Sequence, residues 1–188
     1  MKRSVAIFAL ALAVLAGGTV SRVLAQPAPA NAQAKPVSDA LSIDANLKYL
    51  EDNKVKKGVI NRPSGLQFRI LQNGFGKRPQ RTDTVKVYYT GKLINGVVFD
   101  GTSPGLPASL NLSSVIPGWI EALQLMREGD RWQLVIPPNL GYGVRGAGDG
   151  VIPPNQTLIF DIKLVETTPA PRRGEKGYIP DPSEREEQ

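Results

Sequence analysis

The sequence predicts an α+β fold, in which a curved antiparallel sheet of about five strands wraps around one short α-helix. Several segments after Ser64 alternate between apolar and polar residues, which is typical of antiparallel strands with one buried face. Asn95-Gly96 lies between two such segments and is a strong signal for a tight hairpin. Only one segment of this region has helical spacing, so that helix has to cover the apolar face of the sheet.

Four segments carry the alternation and define the strands on which the prediction depends. The residues expected to face inward are Leu66, Phe68 and Ile70; Val85, Val87 and Tyr89; Trp132, Leu134 and Ile136; and Leu158, Phe160, Ile162 and Leu164. Because side chains alternate across a strand, each group shares one face of the sheet.

The helix of this region follows the stretch "SSVIPGW". Pro117 suits a first helical turn and Gly129 a helix end. Its apolar stripe is formed by Trp119, Ile120, Leu123 and Met126. One of the chain's two tryptophans therefore lies on the first turn, and this position has to be explained by what the turn faces.

A second helix is predicted ahead of the sheet, over residues 38–57. Leu41, Leu47 and Leu50 recur at rough helical spacing, and Asp39 or Ser42 is a suitable N-cap. The stripe is thin. The helix either packs on the domain, which we favour, or pairs with a second copy of itself.

The ends of the chain have compositions that differ from the centre. Residues 1–25 combine a Met-Lys-Arg start, an apolar run and a small residue at Ala25, as a secretory signal peptide does. We expect cleavage after Ala25, release into the periplasm and no stable membrane association afterwards; the alternative is an uncleaved anchor. Residues 26–61 are predicted to be a linker with the short helix, 62–168 the folded domain, and 169–188 a disordered tail.

Composition excludes several kinds of chemistry. The chain has no cysteine and no histidine, so thiol nucleophiles, disulfides, Ser-His-Asp triads and histidine-ligated zinc are ruled out. Residues 1–25 hold three of the 23 basic residues and no acidic one, which leaves 20 basic and 17 acidic residues beyond them. The charges are interspersed, so we expect no nucleic-acid surface, and we expect no metal and no cofactor.

Three motifs occur in order in the predicted domain: "YYTGKLINGVVFD", "VIPGWIEAL" and "GYGVRGAGDGVIPPNQTLIFDIKLVE". Together they resemble the FKBP-type peptidyl-prolyl cis–trans isomerases, over residues from about 63 to 166. The resemblance implies isomerisation of Xaa-Pro bonds in folding polypeptides and inhibition by macrolides. No bond is made or broken in that reaction, so the absence of histidine and cysteine is compatible with it.

The resemblance also implies an apolar pocket and the residues that form it. Trp119 would be the floor, Tyr89, Phe99 and Phe160 the walls, Val115 and Ile116 one rim, Tyr142, Val151 and Ile152 the opposite loop, and Asp100 the buried carboxylate. The backbone N–H of Ile116 and the hydroxyl of Tyr142 would donate hydrogen bonds to the peptide. Read without the resemblance, the aromatic residues suit ordinary core packing and Asp100 suits a turn.

The sequence departs from the family pattern in the loop after Asp100, "GTSPGLPASL". It contains no arginine to orient the carboxylate, and Ala108 or Leu110 stands where relatives often have an aromatic residue. Gly148 falls where some relatives have histidine. We therefore expect activity with a changed substrate preference. The alternatives are a non-catalytic module that binds proline segments and, with little support, a hydrolase using paired carboxylates.

Overall fold

The structure is a computed structural model, and it describes residues 39–171 and Glu175. The predicted signal peptide, most of the linker and most of the C-terminal tail lie outside these residues. None of the described helices is long and apolar enough to cross a membrane.

The described chain forms one antiparallel sheet of seven strands and two α-helices. In chain order these are α1 (Ile43–Lys54), β1 (Ile60–Asn61), β2 (Gln67–Gln72), β3 (Thr84–Leu93), β4 (Val98–Gly101), β5 (Ala108–Asn111), α2 (Pro117–Leu125), β6 (Arg131–Ile136) and β7 (Leu158–Thr168). The strand order is β1-β2-β6-β7-β3-β4, and β5 pairs with β3 beside β4. The predicted fold class is confirmed; the strand count exceeds about five because short strands such as β1, of two residues, also pair.

The inward-facing residues of the long strands form the core. Val85, Leu134 and Ile162 are fully buried, as the alternation predicts. Helix α2 packs on this face through Trp119, Ala122 and Leu123, and its C-cap Met126 is buried as well. Ile120 is less buried than predicted, and the helix ends at Leu125 rather than at Gly129, which instead takes a positive φ of 92° in the following turn.

The hairpin between β3 and β4 turns at Asn95-Gly96, as predicted. Gly96 has a φ of 85°, which a residue with a side chain adopts only with strain. The N–H of Gly96 donates to the carbonyl of Leu93 at 2.9 Å. The N–H of Val97 donates to Oδ1 of Asn95 at 3.1 Å. This turn brings Phe99 and Asp100 beside β3.

Helix α1 packs on the domain, which confirms the favoured prediction, but the contacts differ from those predicted. Ser42 is the N-cap and accepts a hydrogen bond from the N–H of Ala45. Leu41 is buried, whereas Leu47 is 55% exposed. The buried residues within the helix are Asn46 and Asn53. The predicted leucine stripe is therefore wrong at Leu47, because the helix is held through amide side chains.

Candidate functional site

The candidate site lies where the first turn of α2 meets β3 and β7. Ile116 is the N-cap of the helix, and Pro117 occupies its first position with the fixed φ that this position requires. Trp119 follows on the face that points at the sheet and is 4% exposed. The tryptophan is on the first turn because that turn, and not the later ones, faces the aromatic residues of the strands.

Four aromatic rings, those of Tyr89, Phe99, Trp119 and Phe160, form one cluster through mainly edge-to-face contacts. The ring centroid of Trp119 lies 5.0 Å from that of Tyr89 and 5.1 Å from that of Phe160, with interplanar angles of 87° and 82°. Phe99 contacts Phe160 in the same manner, with centroids 5.6 Å apart. Edge-to-face pairs at these distances are favourable beyond the area that they bury. The arrangement gives a rigid apolar surface whose members come from β3, β4, α2 and β7.

Gly91 makes this cluster possible, and the sequence interpretation did not single it out. A Cβ atom at Gly91 would lie 2.7 Å from the rings of both Phe160 and Phe99, so a side chain would displace them. Glycine inside a strand is unfavourable and marks a close approach of other groups. A glycine within the long strand β3, two residues before its end, was the signal that could have found it.

Asp100 lies at the edge of the cluster and is held by two donors. The hydroxyl of Tyr89 donates to Oδ2 at 2.6 Å, and the backbone N–H of Gly101 donates to Oδ1 at 2.8 Å. Tyr89 is itself positioned by Thr102, whose Oγ1 accepts from the Tyr89 N–H at 3.1 Å. The carboxylate therefore has a fixed orientation at the edge of an apolar surface.

The two tyrosines of the site are held in their protonated forms. Burial raises the pKa of Tyr89 well above its usual range, and the hydrogen bond to Asp100 and the charge of that carboxylate raise it further. Burial also raises the pKa of Tyr142, with a smaller contribution from the charge of Asp100. Both hydroxyls therefore remain donors throughout the physiological pH range.

Comparison with known proteins identifies the family. A family model described as FKBP-type peptidyl-prolyl cis-trans isomerase matches residues 76–165. The crystal structure of a peptidyl-prolyl cis-trans isomerase from Pseudomonas syringae pv. tomato has a TM-score of 0.64 and 37% identity, covering 68% of this chain and 93% of that one. The chain belongs to the FKBP-type peptidyl-prolyl cis–trans isomerase family. The resemblance carried by the three motifs is thereby confirmed.

Longer relatives also match part of this chain. The FKBP-type 22 kDa peptidyl-prolyl cis-trans isomerase of Escherichia coli K12 is 54% identical over 121 residues, covering 64% of this chain and 58% of that protein. The outer membrane protein MIP of Legionella longbeachae is 50% identical over 123 residues, covering 65% and 52%. The chain thus spans between about half and three fifths of the length of these two relatives. The E. coli FkpA crystal structure is 42% identical with a TM-score of 0.65, covering 68% and 60%.

The loop after β4 contains no basic side chain that could orient Asp100. The basic residue that the resemblance leads one to expect near Asp100 is absent from "GTSPGLPASL". Within residues 39–171, the donors to Asp100 are the Tyr89 hydroxyl and the Gly101 N–H. Ala108 and Leu110, where relatives often have an aromatic residue, are partly buried and pack against the core.

Two hydrogen-bond donors near the cluster have no partner among the described residues. They are the backbone N–H of Ile116 and the hydroxyl of Tyr142, both predicted from the resemblance to donate to a peptide. The indole N–H of Trp119 is also buried without a partner in this part of the chain. The first two donors are unpaired in the part of the chain that the structure describes and can serve a ligand, whereas the indole N–H of Trp119 is buried and Asp100 already has its donors.

The loop that carries Tyr142 folds back on itself over residues 141–154. The N–H of Ala147 donates to Ile152 O at 2.9 Å, and the N–H of Ile152 donates to Ala147 O at 3.0 Å. Ile152 is 1% exposed and so supports the loop from below, whereas Val151 beside it is half exposed. Val115 and Ile116 are partly buried against the core at the other rim. The structure thus packs Val115, Ile116 and Tyr142 against the same core as the aromatic cluster, with Ile152 behind the surface and not on it.

Gly146 fixes the path of this loop. Its φ is 64°, and a Cβ atom there would lie 2.2 Å from Ile152 O. Only glycine is compatible with both the dihedral angle and the contact.

Among residues 39–171 and Glu175, no group of three or more potential ligands could hold a metal ion.

Proposed function

We propose that the chain is a peptidyl-prolyl cis–trans isomerase that acts on proline-containing segments of unfolded or folding polypeptides. The observation that carries the proposal is the cluster of Tyr89, Phe99, Trp119 and Phe160, with one oriented carboxylate at its edge and free donors on both sides. The names of the relatives support the same activity.

The reaction requires only that the twisted peptide bond be bound better than the planar one. Resonance in the peptide bond sets a barrier of about 18–20 kcal/mol, and uncatalysed exchange at Xaa-Pro takes tens to hundreds of seconds. In the twisted state the carbonyl is less polarised and the nitrogen becomes pyramidal. A dry aromatic surface favours that less polar state, and every 1.4 kcal/mol of such preference gives about a tenfold rate gain.

Each residue of the site has a role in this proposal. Trp119 is the floor for the proline ring, and Tyr89, Phe99 and Phe160 are the walls. Val115 and Ile116 form one rim, and Tyr142 with Val151 the other, supported by Ile152. The support for these assignments is the geometry of the cluster together with the motifs in which the residues occur.

The donors hold the peptide in its twisted conformation. The Ile116 N–H and the Tyr142 hydroxyl bind carbonyl oxygens of the substrate in this proposal, since neither has a partner in the described chain. Asp100 keeps Tyr89 oriented and presents a negative charge near the rotating amide. No nucleophile, metal or cofactor takes part.

The test is the rate of cis–trans exchange in a short Xaa-Pro peptide, measured by exchange NMR. Asp100→Ala and Tyr142→Phe should each lower kcat/KM about five- to tenfold, the loss expected for one hydrogen bond or charge contact made in the transition state. Neither change hollows the core, so Tyr142→Phe should leave the melting temperature nearly constant and Asp100→Ala should cost only about the 1 kcal/mol of its hydrogen bond with Tyr89. Asp52→Ala and Tyr88→Phe are matched controls on other surfaces and should have no effect.

Two outcomes would count against the proposal. If both site variants retain full activity, and a macrolide that occupies such pockets neither binds nor inhibits, the isomerase site is elsewhere. If the protein binds proline peptides without accelerating their exchange, it is a binding module, which is the alternative function.

We also propose export of the chain. Support comes from the basic start, the apolar run and the Ala25-Gln26 junction of the sequence, and one relative is named an outer membrane protein. Mass spectrometry of periplasmic extracts should find Gln26 as the first residue. A membrane-bound form that still carries residues 1–25 would contradict cleavage.

For the domain boundary, we propose that residues 62–168 suffice for folding and isomerisation. This fragment keeps every residue of the site but lacks α1 and β1. It also exposes Gln67 and Gln156, whose amides contact α1 in the full chain. We therefore expect an active fragment of lower stability, measurable by denaturant unfolding and the peptide assay; an unfolded fragment would move the boundary to include α1.

A further inference from the structure

A second groove, of about 680 Å³, lies beside the C-terminal end of α2, away from the aromatic site. Its apolar lining includes Leu125, Phe68 and Trp132, and the last two stack with their ring centroids 4.3 Å apart. Phe75 at its rim is 93% exposed. A groove of this size with an exposed phenylalanine is typical of a surface that binds an apolar segment.

The groove is also cationic. Arg62, Arg78 and Arg127 line it. Arg62 is paired with Glu121 at 3.1 Å, but Arg78 has no ion pair within residues 39–171 and Glu175. Asp130 is the acidic residue of the lining, and its two carboxylate oxygens accept from the backbone N–H groups of Gly74 and Arg127. A suitable occupant is therefore both apolar and acidic.

One undescribed segment of this chain has that composition. Residues 177–188, "GYIPDPSEREEQ", carry four acidic residues and one arginine, and they begin with Tyr178, Ile179 and Pro180. Residues 1–38 contain four basic residues and no acidic one. Charge complementarity thus selects the C-terminal segment over the N-terminal one.

The chain leaves the sheet next to this groove. The N–H of Thr167, near the end of β7, donates to Glu128 Oε1 at 2.7 Å, and the Glu128 carbonyl accepts from the N–H of Gly76 at 3.1 Å. Gly76 follows Phe75 directly. Tyr178 is seven residues beyond Pro171, and this stretch extends to at most about 25 Å, which is the reach of the segment from the end of the sheet.

We propose that residues 177–188 dock into this groove. Tyr178, Ile179 and Pro180 pack on Phe75 and on the stacked pair of Phe68 and Trp132. The acidic residues that follow lie beside Arg78 and Arg127. A tether of this length gives an effective concentration in the millimolar range, so an intrinsic Kd of about 1 mM is enough to fill the groove half of the time.

Docking of the tail would keep the exposed apolar surface covered. Other acidic, apolar segments would then have to displace the tail before they bind there. The proposal does not depend on the isomerase activity, since the groove and the aromatic site are at opposite ends of α2.

The test compares the amide NMR spectrum of the chain from Gln26 to Gln188 with that of a variant that ends at Lys176. Deletion should shift the resonances of residues 73–78 and 127–132, and a synthetic peptide of residues 177–188 should restore them. Salt should weaken binding of the peptide, because the charges that attract it to the groove are exposed. Phe75→Ala and Arg78→Glu should each weaken it about three- to fivefold, the upper range for one exposed contact.

Matched controls are Leu106→Ala, an exposed apolar residue outside the groove, and Arg81→Glu, which changes the charge equally. Neither should alter the affinity of the peptide. Three results would overturn the proposal: groove resonances that do not respond to deletion, peptide-induced shifts at Tyr89 and Trp119 in place of the groove, or shifts that depend on protein concentration in the variant without the tail. The second would mean that the segment binds the isomerase site, and the third that a second copy fills the groove.

Discussion

The two helices attach to the sheet by opposite means. Helix α2 buries Trp119, Ala122 and Leu123 against the inner face. Helix α1 buries Asn46 and Asn53, while its apolar residues Ile43 and Leu47 are more than half exposed. One helix is therefore held by apolar area and the other by directional hydrogen bonds.

The contacts of Asn46 show how the polar attachment works. Its Nδ2 donates to Leu41 O, to Ser42 O and to Gln156 Oε1, and its Oδ1 accepts from the N–H of Thr157 at 2.7 Å. Asn53 donates in the same way to Gln67, at 2.8 Å. Apolar contact tolerates small displacements, whereas a buried amide is costly unless its partners are in place. The amide contacts therefore fix the position of α1, and the apolar contacts of α2 shape a pocket.

Among the variants that test this difference between the helices, Trp119→Ala should cause the largest loss of stability. Removing a buried tryptophan from a core costs about 3–5 kcal/mol, and here it would also remove the floor of the site. Urea unfolding should show this loss of stability, and a separate binding measurement should show loss of affinity for a proline peptide. A cost below 1 kcal/mol would mean that α2 is not held mainly by its apolar face.

Most of the inner face could be predicted from the sequence, because burial of alternating residues depends only on the strand period. Val87, Leu134 and Phe160 follow from that pattern, and the turn at Asn95-Gly96 follows from its dihedral requirements. The place of Trp119 in a site required the family motifs, since a tryptophan on a helical stripe is otherwise a core residue.

Contacts that depend on strand register could not be predicted. The bond between Tyr89 and Asp100 requires that β4 pair with β3 in a register that shifts between Gly91 and Lys92. Asn46 and Thr157 are 111 residues apart in sequence, and no local pattern links them. The amide contacts that attach α1 were missed for this reason, since periodicity reports apolar faces and not amide pairs.

Asn46→Leu should have the next largest effect. The change leaves the Thr157 N–H and Oε1 of Gln156 without their partner, and each unpaired buried group costs about 1–3 kcal/mol. We expect the free energy of unfolding to fall by about 2–3 kcal/mol. The loss stays within this range because α1 can detach and expose the unpaired groups to water. Hydrogen exchange should then be faster in α1 than in the sheet. Asp52→Ala on the exposed side of the helix is the control. Equal loss of protection in α1 and β7 would mean that α1 is not a separate unit.

Tyr89→Phe should have a smaller effect, of about 1 kcal/mol, because it removes one partly exposed hydrogen bond to Asp100. It also tests the pH dependence. The folded pKa of Tyr89 is raised above its ordinary value of 10.0, chiefly by burial, so its contribution to stability is complete below about pH 10 and is lost as the pH rises further. Unfolding between pH 8 and 11 should show a steeper alkaline loss in the wild type than in the variant. Identical slopes would mean that Tyr89 titrates alike in both states.

Leu47→Ala should have the smallest effect on stability, although the sequence pattern places Leu47 on a predicted apolar stripe with Leu41 and Leu50. Its side chain is 55% exposed, so truncation removes little buried area and should change the free energy of unfolding by less than about 0.5 kcal/mol. The same substitution at Leu123, fully buried in α2, should cost about 2–5 kcal/mol and is the matched comparison. Both are measured by urea unfolding at a protein concentration held constant. A loss above 1 kcal/mol at Leu47 would show that this face is covered in solution, and dependence of that loss on protein concentration would identify a second copy as the cover.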